Sequence, residues 1–421
     1  MDIWIFNHYA VSPDMPGGTR HYDFAKELVK RGYKVTIFAS SFHYSQHKEL
    51  KLTEKEKYKI ENIDGVNFVW LKTFSYQKND WRRVLNMLSY LHRVYGLGRE
   101  ITKINKNVTK PDIIVGSSVH LLAVLAAYWL SKYYKAKFIM EVRDLWPQTL
   151  VDMGRLKESN LLVKILRYLE KYLYKRAKKI IVLIPFAEKY ISLLGVKKNK
   201  IVWIPNGVDL ERFKNIKRNK VDDQFEVMYL GAHGQANALN IILDAVKIIQ
   251  DKGYRNIKSM FIGDGSEKKN LIKYKDKLGL RDVKFHPTVA KEIISTILNE
   301  ADVLIFNLKK TEVYKYGISS NKLFDYMMAG KPIVFSVNAG SDLVKEAKCG
   351  ISIPPEKPDF MATAIIKLYQ MSSEERKKMG QRGREYVEKY HSITLLVDKL
   401  EKVIREVINE KENSKNTKEV N

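Results

Sequence analysis

The stretch IWIFNHYAVSPDMPGGTRHYDFAKELVKRGYKVTIFAS (residues 3–40) decides the fold. Its two ends, IWIFNHYA and KVTIFAS, are rich in β-branched and aromatic residues, a composition typical of buried strands. The segment TRHYDFAKELVKRG between them has helical periodicity and ends at Gly32, a residue type that commonly terminates a helix. A strand, a helix and a second strand in this order predict a parallel sheet.

The same alternation continues along the chain and falls into two series. The first series has strand-like segments at DIIVGSS (112–118), KFIMEVRD (137–144), KIIVLIP (179–185) and KIVWIPNGV (200–208), and predicted helices over 120–134 and 158–178. The second series alternates FEVMYLGAHG (225–234), IKSMFIGDGS (257–266), VKFHPT (283–288), DVLIFNL (302–308) and KPIVFSV (331–337) with predicted helices over 238–250, 267–278 and 290–299 and a short helix near residue 321. Two consecutive doubly wound α/β domains are therefore predicted.

The predicted domains are residues 1–205 and 225–383. A linker is predicted over 206–224, where turn residues and mixed charge replace the apolar period. A C-terminal helix is expected over 384–408, as a candidate for crossing back to the first domain. Residues 409–421 are almost devoid of apolar side chains and are expected to be disordered.

Composition is that of a folded protein in a reducing compartment. The chain has 421 residues and 45% hydrophobic content, enough for two cores. The single cysteine, Cys349, excludes an internal disulfide framework, and the first residues do not have the pattern of a signal peptide, so a cytoplasmic location is expected. The longest apolar run, residues 121–130, is about half of the ~20 residues that a membrane-spanning helix requires.

The formal charge of +26, from 74 basic against 48 acidic residues, predicts an anionic partner. Nucleic acid, an anionic membrane and phosphorylated ligands all satisfy this requirement. The sequence has no zinc-finger spacing, RNP-like aromatic segment or basic heptad region, so nucleic-acid binding rests on charge alone and is not expected. Lysine richness that favours solubility accounts for part of the excess.

Glycine-rich loops follow several predicted strands, at the sheet edge where doubly wound domains bind ligands. Gly17 and Gly18 precede a helix N-terminus, whose free N–H groups attract an anion, although an ordinary loop has the same local sequence. The GxGxxG dinucleotide pattern is absent, which disfavours a nicotinamide-dependent oxidoreductase. The other candidates for contacts to the donor are Gly231, His233, Gly234, Asn237, Gly263, Asp264 and Gly265. For His233 the alternative is a packing role, and for Asp264 a helix cap.

Polar residues also mark two strand ends of the first domain. His120 begins a helix after GSSV and is a candidate donor to a hydroxyl or phosphate, or a polar helix start without a ligand. In EVRDLWPQ (141–148), period-two alternation places Glu141 and Arg143 on one face, with Asp144 next to them. A buried ion pair explains these residues without chemistry, but the cluster at the ligand edge makes Glu141 and Asp144 candidates for orienting an acceptor hydroxyl.

The stretch SSNKLFDYMMAGKPIVFS (319–336) predicts a short helix with a polar and an apolar side. Asn321, Lys322 and Asp325 are three and four residues apart on the polar side, and Ser319 or Ser320 is the expected cap. A solvated helix face is the alternative explanation for this polar side.

The segment NLLVKILRYLEKYLYKRAKK (160–179) is strongly basic. A stripe is predicted opposite the leucines, formed by Lys164, Arg167, Lys171, Lys175 and Lys178. Such a helix is a candidate for lying on anionic lipid, with a core helix that has a solvated basic face as the alternative. No His, Cys, Asp or Glu cluster has metal-ligand spacing, so no metal is expected.

The chain resembles the GT-B glycosyltransferases, and within them the retaining family 4 enzymes. The resemblance runs nearly end to end, through PGGTRHYDFAKELVKRGYKVTIFAS, EVRDLWPQ, IVWIPNGVD, GAHGQANALNIILDA, GDGSEK, NKLFDYMMAGKPIV and GREYVEKYHS. It implies two Rossmann-like domains facing a central cleft, a nucleotide sugar bound mainly to the second domain and an acceptor bound to the first.

Two departures from the family pattern concern the donor. The second acid of the family's Glu-x7-Glu motif corresponds to Asp325, implied to hold the ribose, and the first corresponds to Gly317. The family's basic pair corresponds to Ala232 and Asn237, neither of which is charged. Lys322, at a helix N-terminus, is the expected substitute at the diphosphate.

Within the family the chain is similar to bacterial capsule and O-antigen transferases of N-acetylated amino or deoxyamino sugars. This implies a UDP-linked donor, retention of configuration, an undecaprenyl-diphosphate-linked glycan acceptor and peripheral attachment to the inner face of the cell membrane, without a metal cofactor. Catalysis is expected to rest on electrostatic stabilisation of the leaving diphosphate by Lys322, Gly17 and Gly18, with His120 in contact with the donor. A UDP-sugar epimerase of the same shape and a charge-driven nucleic-acid binder are the alternatives.

Overall fold

The computed structural model describes residues 1–78, 80–118, 120–214, 216 and 224–416, with side chains as far as residue 409. The chain divides into two compact units. The N-terminal unit comprises residues 1–12, 18–205 and the segment from Ile393 onward, and the C-terminal unit comprises residues 13–17 and 206–392. Most of the predicted linker, namely residues 215 and 217–223, lies outside the described residues.

The N-terminal unit is built on an eight-stranded sheet. Its strands are β1 (Asp2–Phe6), β2 (Lys34–Ser40), β5 (Tyr58–Ile63), β6 (Val66–Leu71), β7 (Ile113–Ser118), β8 (Lys137–Val142), β9 (Lys179–Val182) and β10 (Ile201–Trp203), and a separate hairpin joins β3 (Phe42–His43) to β4 (Lys48–Glu49). The sheet order is β10-β9-β8-β7-β1-β2-β6-β5. All neighbours are parallel except β5, which pairs with β6 in an antiparallel hairpin.

Helices cover both faces of this sheet. They are α1 (Arg20–Lys30), α2 (Trp81–Ile104), α3 (Leu121–Tyr134), α4 (Gln148–Asp152), α5 (Leu161–Arg176) and α6 (Ala187–Leu193). From β1 the chain moves to β2 on one side, and from β7 to β8 on the other, so right-handed crossovers place α1 and α3 on opposite faces. Helix α3 packs between α2 and α5 and forms one helical layer with them.

The C-terminal unit is a six-stranded parallel sheet of order β13-β12-β11-β14-β15-β16. Its strands are β11 (Phe225–Leu230), β12 (Ile257–Ile262), β13 (Val283–His286), β14 (Val303–Asn307), β15 (Ile333–Ser336) and β16 (Gly350–Ile353). Its helices are α7 (Asn240–Asp251), α8 (Lys268–Lys277), α9 (Ile294–Glu300), α10 (Asn321–Met328), α11 (Leu343–Glu346), α12 (Pro358–Gln370) and α13 (Ser373–Tyr390). Each strand end on one edge of the sheet is therefore followed by a loop and a helix, which is the arrangement that forms ligand sites.

The C-terminal helices differ from the prediction of one helix over 384–408. Helix α13 ends at Tyr390, and α14 (Ile393–Asn416) begins after His391 and Ser392. Helix α14 packs on α1 of the N-terminal unit, where Arg31 pairs with Asp398 and Glu401. It also extends through residues 409–416, where a disordered tail was expected, and residues 417–421 lie outside the described residues.

In the part of the chain that the structure describes, no helix is long and apolar enough to cross a membrane.

Candidate functional site

The glycine loops of the C-terminal unit lie backbone against backbone. A Cβ atom on Gly263, which has φ +144°, would lie 1.9 Å from the carbonyl oxygen of Gly231, and one on Gly265 would lie 2.5 Å from that of His233. The loops are joined by the His233 N–H, which donates to the carbonyl of Asp264 at 2.8 Å. Gly263 and Gly265 are therefore required for the close approach of two loops at the ends of β11 and β12.

Lys322 lies at the N-terminus of α10, beside these loops. Its Nζ donates to Oδ1 of Asn237 at 2.6 Å and contacts Oη of Tyr229 at 3.1 Å. The ammonium group also lies 4.7 Å from the ring centroids of Tyr229 and Phe306. Burial lowers the pKa of Lys322 to about 7. Lys322, which was predicted to contact a diphosphate, therefore lies between aromatic rings and holds its proton weakly. An anionic partner would stabilise its charged form.

The remaining polar residues of α10 differ in part from the prediction. Asp325 is buried and accepts a hydrogen bond from Nζ of Lys291 at 2.5 Å, a partner that the sequence did not suggest. Asn321 is the first helical residue and is half-buried. The expected serine cap is absent in this structure: Ser320 makes no capping bond, and Oγ of Ser319 instead accepts from the backbone N–H of Asn206 at 2.9 Å. The polar side of α10 is therefore largely engaged rather than a freely solvated face.

The backbone conformation at residue 317 explains why glycine stands where the family pattern has an acid. The backbone of Gly317 has φ +95° and ψ −179°, a region that glycine alone adopts without strain. A side chain at this position is therefore disfavoured by the backbone conformation.

His233 and Asn237 have different environments within the same loop. The His233 ring is fully buried, and no described residue supplies a hydrogen bond to either of its nitrogens. Burial lowers the pKa of His233 to about 4, with a smaller contribution from the charge of Lys268, so the ring is neutral. Asn237 donates to the carbonyl of Ala232 at 2.9 Å while it accepts from Lys322. The contacts of His233, Asn237, Gly234 and Asp264 with a donor remain predictions.

In the N-terminal unit, Glu141 is the centre of a buried network. It accepts from Nε of Arg20 at 3.0 Å, from Oγ of Ser117 at 2.8 Å and from Nε2 of His21 at 2.8 Å. Burial opposes its ionisation, but Arg20 and His21 outweigh this effect and hold the pKa of Glu141 well below its usual range. The predicted ion pair is present with Arg20 in place of Arg143, because α1 reaches the end of β8.

The Glu141 network also binds the backbone at residues 204 and 205, where the second segment of the N-terminal unit ends. Arg20 donates to the backbone carbonyl of Pro205 at 2.5 Å and to that of Ile204 at 3.0 Å. Glu141 thereby positions Arg20, which is a structural role for this carboxylate. The contact of Glu141 with an acceptor hydroxyl stays a prediction. Asp144 follows β8 with an exposed side chain.

His120 has partners in the protein at both ring nitrogens. Its Nδ1 accepts from the Ala123 N–H at 3.3 Å as the cap of α3, and its Nε2 lies 2.7 Å from Nδ1 of His8. Burial lowers the pKa of His120 to about 3, so the ring is neutral. A contact of His120 with a donor, as predicted, would require one of these bonds to break. Gly17, with φ +134°, and Gly18 lie in the loop before α1.

The basic helix, α5, is shorter than predicted, and its buried face differs from the predicted line of leucines. Lys164, Lys171 and Lys175 are exposed on α5, and Lys178 follows its end. Arg167 is not part of the exposed stripe, because it pairs with Glu158 at 2.7 Å and donates to Tyr190 and Gln148. The buried face is formed by Val163, Glu170, Leu173 and Tyr174. Large apolar residues lie among the exposed lysines: Leu161, Leu162, Ile165 and Tyr168, with Leu161 and Tyr168 exposed to 71% and 76%.

Among the described residues, no group of three or more His, Cys, Asp and Glu side chains is arranged to hold a metal ion.

Two family models match the chain. The model described as Glycosyltransferase Family 4 matches residues 17–212, and the model described as Glycosyl transferases group 1 matches residues 224–371. The two matches correspond to the two α/β units.

Named relatives and solved structures agree with these matches. A probable glycosyltransferase, WbjE of Pseudomonas aeruginosa, is 21% identical over 73% of this chain and 78% of its own length. The capsular polysaccharide biosynthesis glycosyltransferase CapM of Staphylococcus aureus is 26% identical over 53% of this chain and 60% of its own. The crystal structure of Anabaena HepE in complex with UDP-glucose has a TM-score of 0.66 at 14% identity, covering 96% of this chain and 100% of that one.

Together with the two doubly wound units, these matches define a nucleotide-sugar glycosyltransferase of the GT-B fold. The chain thus combines a glycosyltransferase family 4 domain with a glycosyl transferases group 1 domain. The fold class and the enzyme class predicted from the sequence are confirmed.

Proposed function

We propose that the enzyme transfers a sugar, with retention of anomeric configuration, from a UDP-linked donor to a lipid-linked glycan in surface polysaccharide synthesis. The observation that carries this proposal is the position of Lys322, whose ammonium group is held over two aromatic rings at the start of α10. The UDP-glucose bound to the related fold of HepE supports the choice of UDP, and the name of CapM supports a capsule-type product. An N-acetylated amino or deoxyamino sugar is the proposed group transferred.

Lys322 would act on the leaving diphosphate. Negative charge builds up on the diphosphate as its bond to the sugar breaks, and a fixed cation at a helix N-terminus stabilises this charge. The backbone N–H groups at Gly17 and Gly18 are proposed to contribute in the same way. Because the cation is part of the chain, the proposed transfer does not depend on a divalent metal, and activity should persist after treatment with EDTA.

Asp325 is proposed to hold the ribose hydroxyls. One of its oxygens accepts from Lys291, which leaves Oδ1 for a ribose hydroxyl. The pair also keeps the carboxylate oriented, since both side chains are buried.

The acceptor is proposed to be an undecaprenyl-diphosphate-linked glycan at the inner face of the cell membrane. Helix α5 supports this placement because exposed lysines and exposed apolar side chains alternate on it. Apolar residues that enter the headgroup region and lysines that attract anionic lipid are the combination found in interfacial helices.

The test of the donor site compares UDP-glucose binding to wild type, Lys322→Gln and Lys322→Arg by calorimetry between pH 6 and 9. UDP-glucose is a suitable probe because its diphosphate has no ionisation in this range. A bound diphosphate raises the pKa of Lys322 from about 7, so binding takes up a proton above pH 7. Affinity should then fall with rising pH by up to about tenfold per pH unit.

The two variants make this test specific. Lys322→Arg keeps its charge throughout and should show a flat pH profile, whereas Lys322→Gln should bind weakly at every pH. Full affinity in Lys322→Gln would contradict the proposed role of the lysine. Release of UDP from a UDP-sugar in the presence of a lipid-linked acceptor should be reduced in Lys322→Gln in the same way as UDP-glucose binding. Conversion of the donor without an acceptor would instead indicate an epimerase.

A further inference from the structure

The start of α2 carries an arginine that the proposed donor chemistry does not use. Arg83 lies in the first turn of α2, half-buried, with Cζ 5.8 Å from the ring centroid of Tyr9. Within the described residues no carboxylate lies within 4 Å of its guanidinium, and its Nε has no hydrogen-bond partner. Its neighbour Arg82, in contrast, pairs with Asp80 at 2.8 Å. Arg83 has a side-chain hydrogen bond with Tyr9, but its Nε donor is unused, and an anion at this point would stabilise the half-buried guanidinium.

Two further donors without partners belong to the same cluster. Because His120 Nδ1 accepts the Ala123 N–H, its Nε2 carries the hydrogen and donates to His8 Nδ1, which leaves the His8 hydrogen on Nε2. This Nε2–H has no partner among the described residues, and neither has Oη of Tyr76. Both side chains are only 2% exposed. Buried donors of this kind normally find an acceptor, in the protein or in a bound molecule.

Electrostatic interactions and ring contacts indicate that the histidine and tyrosine side chains of this cluster lie close to Arg83. Burial lowers the pKa of His8 well below its usual range, and electrostatic interactions with His120 and with the Arg83 cation lower it further, so the ring is a neutral donor. Tyr9 stacks on His8 with ring centroids 4.4 Å apart and contacts Tyr44 at 5.1 Å. The cluster is thus rich in N–H and O–H groups and contains no acid, a composition suited to a phosphate.

An apolar stripe begins beside this cluster and runs along α2. Trp81, Val84 and Leu88 lie at helical spacing on the outer face of the helix and are exposed to 63%, 44% and 44%. Phe74, in the loop before the helix, is also exposed. Helix α2 belongs to the same layer as α3 and α5, where Trp129, Tyr133 and the apolar residues of α5 are exposed as well. Exposed apolar side chains of this number in one layer indicate a lipid or a partner surface.

We propose that the start of α2 binds the phosphate of the lipid-linked acceptor, an inference that rests on the proposed function. Arg83, with Tyr76 and the N–H of His8, holds the anionic phosphate, while Trp81, Val84 and Leu88 hold the first part of the hydrocarbon chain. The adjacent cationic and apolar surfaces match a phosphate that is joined directly to an alkyl or prenyl chain. A free sugar phosphate would leave the apolar stripe uncovered, and an uncharged lipid would leave the arginine unpaired.

The probe for this site is decyl phosphate below its micelle concentration, with inorganic phosphate and decanol as comparisons. Binding to the full chain is measured by calorimetry for wild type, Arg83→Gln, Leu88→Ser and Arg82→Gln. Wild type should bind decyl phosphate more tightly than either comparison. Arg83→Gln should weaken this binding tenfold or more, and Leu88→Ser should weaken binding of decyl phosphate without changing that of inorganic phosphate.

Arg82→Gln is the matched control, since it removes one positive charge from the same turn but from a residue that already has a partner. It should leave decyl phosphate binding unchanged. Equal losses in Arg82→Gln and Arg83→Gln, equal binding of decanol and decyl phosphate, or no binding to wild type would each overturn the proposal.

The outcome is separable from that of the proposed function. Binding of UDP-glucose in Arg83→Gln should equal that of wild type, and an unchanged urea-unfolding curve shows that the N-terminal unit of the variant is folded. Arg83→Lys, which keeps the charge, should retain decyl phosphate binding if Arg83→Gln fails to fold. Normal UDP-glucose binding with unchanged decyl phosphate binding in Arg83→Gln would reject this site alone. Absence of UDP-glucose binding in wild type would reject the proposed donor.

Discussion

At the scale of single residues, the C-terminal unit depends on glycines that allow two loops to touch. Gly263 combines φ +144° with a space in which a Cβ would overlap the carbonyl of Gly231. Gly263→Ala should therefore lower the free energy of unfolding of this unit by about 3 kcal/mol or more, because backbone strain and steric overlap add. Denaturant unfolding would measure this change, and calorimetry should show weakened UDP-glucose binding.

Gly234→Ala is the control for that prediction. Gly234 has φ −106°, and nothing lies within 4 Å of the position of its Cβ. The free energy of unfolding should change by less than about 1 kcal/mol. Equal effects at both glycines would mean that the contact between the loops is not what stabilises the site.

Sequence reasoning at this scale found residues that precede or begin helices, but not their partners. Lys322 was predicted because it stands at the start of a helix after a serine pair, a local pattern. Lys291 and His8 were missed because their significance arises only when distant segments meet: Lys291 is 34 residues from Asp325, and His8 is 112 residues from His120. Such long-range pairs leave no spacing in the sequence that could be recognised.

At the scale of secondary structure, most strands of both sheets were predicted, including the edge strands β10 and β13. The hairpin of β5 and β6 was missed although β6 is a buried interior strand, because the exposed, charged residues of its edge partner β5 break the apolar pattern of the hairpin. The division between α13 and α14 was also missed, since His391 and Ser392 include neither glycine nor proline to mark a break.

Helix α5 contains a carboxyl group that should make stability depend on pH. Glu170 has no exposed surface, and its carboxylate accepts from the hydroxyls of Tyr174 and Tyr190 at 3.0 Å each. Burial raises the pKa of Glu170 to about 7 from 4.5. The folded state keeps a proton that the unfolded chain releases, so the contribution of Glu170 to stability should fall as the pH rises from about 4.5 to about 7, by about 3 kcal/mol in total.

Glu170→Gln should remove this dependence and make the N-terminal unit more stable than wild type at pH 8. Urea unfolding at pH 5 and pH 8 would measure the effect. Glu158→Gln, at an exposed carboxylate paired with Arg167, is the comparison and should change stability by less than about 1 kcal/mol at both values. If the difference in stability between wild type and Glu170→Gln were the same at pH 5 and pH 8, Glu170 would not be protonated in the folded state.

At the scale of the whole molecule, the distribution of the charge matters more than its total of +26. Exposed lysines occur on α5 of the N-terminal unit, where they alternate with exposed Ile165 and Tyr168, and also on α8 of the C-terminal unit. Attraction to anionic lipid is screened within about 10 Å at ordinary ionic strength, so only lysines close to the membrane contribute. If α5 is the surface that meets the lipid, its lysines should matter and those of α8 should not.

Two variants with the same net charge test this expectation. Replacing Lys164, Lys171 and Lys175 of α5 by Gln should weaken binding to vesicles of phosphatidylcholine and phosphatidylglycerol by about 3 kcal/mol at low salt, roughly a hundredfold, since each lysine near the surface contributes about 1 kcal/mol. The same change at Lys269, Lys273 and Lys277 of α8 should leave cosedimentation with the vesicles near that of wild type. Equal losses in both variants would show that the membrane responds to the overall charge of the protein, and that the exposed apolar face of α5 has another partner.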